Sequence, residues 1–149
     1  DFSLPIVAGP GWREGDRLAL RDLRGNPVLL EFWASWCVPC VRSLPRVVAQ
    51  VAQARDRGLL LVGVNCESGR PEQVRSALRE MGAAMPSVQD PESRAQVAYG
   101  IEGLPTSVLI GADGRVRAVQ RGAVEPDTLS AWLDNLPVLG DLDDPGHDR

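Results

Sequence analysis

Lysine is absent: sixteen Arg supply all the cationic side chains, set against twenty acidic residues. Chemistry that needs a titrating ammonium, such as Schiff-base formation, is therefore excluded. Histidine is nearly absent, with only His147 in the last three residues. Three cysteines are too few for a disulfide scaffold, and with one remote His they do not make the two ligand pairs of a structural zinc site. A net charge of −4 leaves nothing basic enough to grip phosphates, so no nucleic-acid partner is expected. No apolar run approaches the roughly 18–20 residues of a membrane span. The longest, Val28 to Ala34, is interrupted by Glu31. No flavin or nicotinamide motif is present either, so no dinucleotide cofactor is expected.

What is there suits one domain over residues 1–149, with 44% hydrophobic residues and length enough to bury a core of its own. The chain opens on Asp1-Phe2-Ser3-Leu4-Pro5 rather than Met and reads as a mature or trimmed form. Residues 1–26, rich in Gly, Pro and charge, are expected to make a small hairpin or an extended arm packed on a sheet edge. The acidic tail 137–149 is expected to fray. Val28 to Ala34 has the length and continuity of a strand covered on both faces. Val41, Leu44, Val47, Val48 and Val51 recur at helical spacing, which predicts a helix from Val38 to about Arg57, kinked at Pro45 and closed by Gly58.

Leu59 to Val64 reads as a second buried strand, and Pro71 to Met81 as a helix opened by its proline. An extended stretch at Ser87-Val88-Gln89 precedes a helix expected from Pro91 to Tyr99. Thr106 to Ile110 is the third core strand. Ala112-Asp113-Gly114 turns into a further strand, Arg115 to Gln120, and Pro126 to Asn135 closes the domain as a helix. Short strands separated by helices imply an α/β fold with helices on both faces of the sheet.

The chemistry centres on Cys37-Val38-Pro39-Cys40, at the junction of a buried strand and a long helix. Thiol–disulfide exchange needs an exposed, low-pKa cysteine and a second one close enough to resolve the mixed disulfide. Free amides and the positive end of the dipole in a helix's first turn favour a thiolate. Cys37 is therefore the expected nucleophile, and Cys40, one turn further in, the resolving thiol. Pro39 fits that turn, where a missing amide costs little and a fixed φ holds the pair in register. Two unrelated buried cysteines are the alternative, disfavoured by the strand-to-helix context.

Glu31 is the one charge inside an apolar strand, and buried carboxylates are rare unless functional or paired. Desolvation would raise its pKa and let it relay a proton to and from Cys40. Pairing with an Arg, or reaching solvent at an altered sheet edge, would make it structural instead. Cys66 reads as a small buried residue near a strand end, with a third redox thiol as the sharper alternative. Trp33 is expected in the core and Trp36, beside Cys37, on the substrate surface.

Phe32-Trp33-Ala34-Ser35-Trp36-Cys37-Val38-Pro39-Cys40 closely resembles the active-site segment of the thioredoxins. Pro45 stands five residues after Cys40, where thioredoxins kink this helix, and Gly103-Leu104-Pro105-Thr106 is similar to their cis-proline loop. The resemblance runs from Leu18 to about Leu136. Arg21 to Val28, and an insert of about forty residues between Val64 and Pro105, resemble the TlpA/ResA-type extracytoplasmic branch.

The resemblance implies a thioredoxin fold: a central mixed sheet with helices on both faces, an N-terminal hairpin, and a helical insert before the cis-proline strand. It implies that Pro105 packs across the cysteine pair, that the Leu104 backbone pairs with a substrate strand, and that Trp36 and Pro39 join them in binding substrate. An ordinary loop proline is the bland alternative for Pro105. Glu31 matches the buried Asp of thioredoxins, whereas many TlpA/ResA-type proteins are neutral there. Glu67 stands where ResA-type members carry a Glu implicated in activity; a solvated loop Glu is the alternative.

The implied function is reduction of specific extracytoplasmic protein disulfides, of the cytochrome c maturation type, through a Cys37–Cys40 dithiol/disulfide cycle. A monomer is expected, with no metal and no cofactor beyond that redox-active disulfide. A membrane thiol reductant of the DsbD/CcdA type would recharge it, and a membrane tether missing from this chain would localise it. The rivals are an oxidant or isomerase of the same fold and a Cu(I) metallochaperone using the cysteine pair as soft ligands. A peroxidase is less expected, because its sulfenate chemistry does not require this C-x-x-C.

Overall fold

A computed structural model describes residues 1–137. In chain order the elements are β1 (Ser3–Ala8), β2 (Arg17–Ala19), β3 (Val28–Trp33), α1 (Val38–Ala52), β4 (Leu60–Asn65), α2 (Pro71–Met81), β5 (Ser87–Gln89), α3 (Arg94–Ala98), β6 (Thr106–Ile110), β7 (Val116–Arg121) and α4 (Pro126–Asp134). The expectation of a frayed tail falls, beyond Pro137, outside the described residues.

The apolar run becomes the most protected strand: all six residues of β3 are buried. β3 lies parallel to β4 and antiparallel to β6 in a mixed seven-stranded sheet of order β2-β1-β5-β4-β3-β6-β7. Side chains alternate across it. Val28, Leu30 and Phe32 point to one face, where they pack with Phe2, Leu4, Ile6, Val108 and Ala95 of α3. Leu29 and Trp33 point to the other, which carries three helices. Trp33 packs with Leu44 of α1 and with Val74 and Leu78 of α2, while Leu29 packs with Val47 and Val51 of α1 and with Leu129 of α4. Each such large side chain contributes about 1.5–3 kcal/mol by leaving water, and the three-helix face is the one that builds the site.

β4 makes room for Trp33 with a glycine. A Cβ on Gly63 would stand 2.6 Å from Cε of Met85, 2.9 Å from Oγ of Ser87 and 3.1 Å from Nε1 of Trp33. Ser87 then accepts from the Trp33 indole at 3.4 Å and donates to the Gly63 carbonyl at 3.1 Å, so the buried tryptophan keeps its polar atom engaged.

The N-terminal segment and the insert follow the sequence reading, and two helix bounds are corrected. The N-terminal hairpin extends one end of the sheet: β1 pairs with β2 and also, antiparallel, with β5. The extended stretch expected at Ser87-Val88-Gln89 within the insert forms β5, which joins β4 in parallel and carries β1. The first long helix ends at Ala52, runs through Pro45, and is followed by a separate 3-10 turn at Arg55–Arg57. That turn is held from outside, where Arg57 donates to the Leu136 carbonyl at 2.7 Å. The helix expected from Pro91 shrinks to Arg94–Ala98 because Ser93 sits at φ 57, in the left-handed region that a helix cannot include. Asp90, further back, does the capping instead, accepting from the Gln96 amide at 3.0 Å.

Candidate active site

The end of β3 and the start of α1 define the centre. Cys37 is extended (φ −84°, ψ 103°) and is the N-cap of α1, with Val38 and Pro39 as the first helical residues. Its Sγ accepts from the Cys40 amide at 3.3 Å, doing with sulfur what a Ser or Asp oxygen does at most N-caps. That amide and the helix dipole favour negative charge on Cys37 once the pair is reduced. The two cysteines are joined as a disulfide with Cα atoms 5.2 Å apart.

Their exposures rank as expected but are smaller: Cys37 shows 5% of its surface and Cys40 none. Around this sliver of sulfur stand exposed apolar groups, Trp36 at 70% and Val38 at 58%, with Pro39 exposed beside them. The Leu104–Pro105 peptide is cis, and the half-buried Leu104 packs against the cluster that contains Cys37 and Cys40. The exposed apolar rim offers a polypeptide a surface to bury beside the sulfur.

Glu67 is not free in solvent. Its carboxylate accepts from the Ser35 amide at 2.9 Å, the Ser35 hydroxyl at 2.6 Å and Nδ2 of Asn65 at 2.7 Å. Its own amide donates to Oδ1 of Asn65 at 3.1 Å, and Gln89 braces the loop by donating to the carbonyls of Glu67 and Gly69 at 2.9 and 2.7 Å. Glu67 thus clamps, at its middle residue, the three-residue bridge Ala34-Ser35-Trp36 that leads from β3 to Cys37. Glu67→Ala removes the acceptors of the Ser35 amide, the Ser35 hydroxyl and the Asn65 side chain together. The loss, about 1–2 kcal/mol, should speed hydrogen exchange at the Ser35 and Trp36 amides roughly tenfold; unchanged protection there would remove the clamp.

Glu31 is 1% exposed, and burial pushes its carboxyl up from 4.5 to about 8, against the moderating influence of Ser107 and Arg46. Register places it between the Trp33 layer, which holds the cysteines, and the Leu29 layer below. Cys66 is half-buried, with its thiol 3.5 Å from the Val64 carbonyl; burial first, then Asp90 and Glu67, push it up to about 12. A thiol so rarely ionised is a poor nucleophile. Among the described residues no group of three or more His, Cys, Asp or Glu is arranged to hold a metal ion.

Sequence reasoning missed Ser35, Asn65, Gln89, Ser107 and Arg46. Each matters through a neighbour distant in sequence, and the only local signal was the pairing of Asn65 with Glu67 two residues on.

The family described as AhpC/TSA matches residues 1–119. The chain belongs to that family. Within the AhpC/TSA family it is similar to the thiol-disulfide oxidoreductase ResA of Bacillus subtilis (strain 168), 30% identical over 119 residues, which is 80% of this chain and 66% of that protein. It is also similar to the thiol:disulfide interchange protein DsbE of Xylella fastidiosa (strain Temecula1), 31% identical over 144 residues, 96% of this chain and 68% of the relative. The chain therefore spans about two thirds of the length of these relatives. The crystal structure of StoA from Bacillus subtilis superposes with a TM-score of 0.70 at 26% identity, covering 88% of this chain and 94% of that one. The thioredoxin-like fold and the C-x-x-C centre agree with these relatives, and this AhpC/TSA-family domain is a thiol–disulfide oxidoreductase working through Cys37 and Cys40.

Proposed function

We propose that the domain reduces disulfides of particular proteins outside the cytoplasm, in the manner of cytochrome c maturation, and is itself recharged by a membrane thiol reductant of the DsbD/CcdA type. The observation that carries this reading is the near-complete burial of Cys37 inside the rim of Trp36, Val38 and Leu104. Such a rim gives a docked polypeptide apolar surface to bury, which a small oxidant or reductant would use far less. The relatives named ResA and DsbE support the substrate class. No helix among the described residues is long and apolar enough to cross a membrane, so tethering would depend on residues outside them.

The thiolate of Cys37 attacks one sulfur of the substrate disulfide, and the other leaves as a thiolate that takes a proton. Trp36, Pro39, Leu104 and Pro105 hold the substrate strand across the sulfurs. Cys40 then gives its proton to the Glu31 carboxylate and attacks Sγ of Cys37. The Cys37–substrate bond breaks, its electron pair goes to the substrate sulfur, and the substrate departs as a dithiol. Glu31 returns the proton to solvent or to the leaving thiolate.

Val38 and Pro39 add no charge that would overstabilise the Cys37 thiolate. Equilibration with dithiothreitol buffers is therefore expected to give a potential well below the roughly −120 mV of a DsbA-type oxidant. A value near or above that figure would reverse the direction of electron flow.

A further inference from the structure

A cleft of about 610 Å³ opens between the approach to Cys37 and α2, with Ser35, Arg70, Gln73, Ser76 and Glu80 in its lining. It adjoins the apolar rim directly, because Ser35 is followed in the chain by the exposed Trp36. α2 turns Val74 and Leu78 into the core and presents a polar side to the cleft.

Two charges in this cleft are uncommitted. Arg70 and Glu80 have no ion-pair partner among the described residues. Glu72, by contrast, is joined to Arg75 at 3.4 Å. The Arg70 guanidinium is not needed to start α2. The bond that caps this end is made by the Arg70 backbone, whose amide donates to Oε1 of Gln73 at 3.1 Å.

Topology orders the two charges relative to Cys37. β3 and β4 are parallel, so both end on the side of the sheet where Cys37 stands. Arg70 comes shortly after Glu67, which holds Ser35 at 2.9 and 2.6 Å, so α2 starts beside the approach to Cys37. The helix then carries Glu80 away from the centre. Along α2 the two residues are separated by roughly 15 Å, the span of about four or five residues of extended chain.

We propose that this cleft is a second substrate subsite, reading the polypeptide that flanks the reacting cysteine. Arg70 takes an acidic side chain close to that cysteine, and Glu80 takes a basic one about four residues further out. The proposal rests on the reading that Cys37 attacks a disulfide held in a polypeptide. Complementary charges of this kind set register and partner choice more than bulk affinity. Both side chains are exposed, so each pair contributes modestly and the preference comes from the two together.

The test uses the reduced protein and three synthetic peptides, each with one cysteine joined in a disulfide to thionitrobenzoate. One peptide carries Glu two residues from the cysteine on either side, and Lys four residues beyond each Glu. A second has these charges exchanged, and a third has Gln at all four positions. The Cys37 thiolate attacks the peptide sulfur, the peptide–thionitrobenzoate bond breaks, and its electron pair leaves on the coloured thiolate. Colour release against peptide concentration gives a half-saturating concentration and a limiting rate.

The parent protein is expected to half-saturate with the first peptide at about one tenth of the concentration needed for the second, with the Gln peptide between them. Arg70→Glu combined with Glu80→Arg is expected to invert that order, through the half-saturating concentration rather than the limiting rate. Salt at about 1 M should shrink the preference to roughly twofold or less. Purely structural roles for Arg70 and Glu80 would shift all three peptides alike. Equal behaviour of the three peptides with the parent overturns the subsite and leaves attack by Cys37 standing, and so does an uninverted order in the double variant. If colour is released from the symmetrical thionitrobenzoate disulfide but from none of the peptides, the polypeptide-substrate reading falls, and the subsite with it.

Discussion

Cys40→Ser is expected to stop the cycle at the mixed disulfide and leave substrate covalently attached to Cys37. Cys40 has no exposed surface, and its Cα lies 5.2 Å from that of Cys37, so its attack is intramolecular and already aligned. Intramolecular reactions of this kind gain effective concentrations of about 10⁵ M or more over free thiols. Removing Cys40 should therefore slow release by at least about 10³-fold, since rescue then needs an external thiol to reach a sulfur that is 95% covered. Cys37→Ser should capture nothing, because the remaining thiol is sealed beneath the helix. Non-reducing electrophoresis of the two variants with an oxidised substrate, followed by dithiothreitol, reads the outcome directly. Capture by Cys37→Ser and not by Cys40→Ser would exchange the two roles.

The second large effect concerns Glu31 and appears in stability before it appears in rate. In the unfolded chain this carboxyl loses its proton near 4.5, whereas in the folded protein burial holds the proton until about pH 8. Between those values the folded state binds more protons than the unfolded one, so stability falls as pH rises through the window. Below pH 4.5 the penalty is absent; above 8 it is complete. At 1.36 kcal/mol per pH unit the loss is of order 3–5 kcal/mol, a large part of the 5–15 kcal/mol that holds a typical domain together.

Glu31→Gln keeps the shape and the hydrogen-bonding edge and removes the ionisation. Its oxidised form should be flat across this window and more stable than the parent at pH 8. Urea unfolding of both oxidised proteins from pH 5 to 8.5 measures the difference, and the disulfide keeps Cys37 and Cys40 from titrating. The same substitution should slow resolution by Cys40 and erase the component of its pH profile near 8. An identical stability slope in the two proteins would mean that some other group carries it.

Parts of the fold and site readable from sequence were those in which a residue's role depends on its immediate neighbours. β3 announced itself because a continuous apolar run has few other places to go, and α2 appeared at its expected bounds because Pro71 opens it. Helix ends were less legible. The left-handed Ser93 and the Arg57–Leu136 bond that holds its own turn have no local signature. Glu67 shows the same limit at the site. Its position after β4 marked it as a candidate, but its role as a clamp depends on Ser35, thirty-two residues earlier.

The sequence by itself determined the reactive centre, because Cys37, Pro39 and Cys40 lie within one helical turn and the strand before them ends at Trp33, four residues before Cys37. Capping, dipole and proline geometry all act over that distance. Tertiary structure alone decided the environment that tunes the centre. Antiparallel register set Ser107 opposite Glu31, and packing of α1 against α4 brought Arg46 to Val124, seventy-eight residues along the chain. It also decided that β1 would enter the sheet beside β5 and that three helices would share one face. Such pairings are chosen by which apolar faces bury one another, a free energy that belongs to the assembled sheet and to no single segment of it.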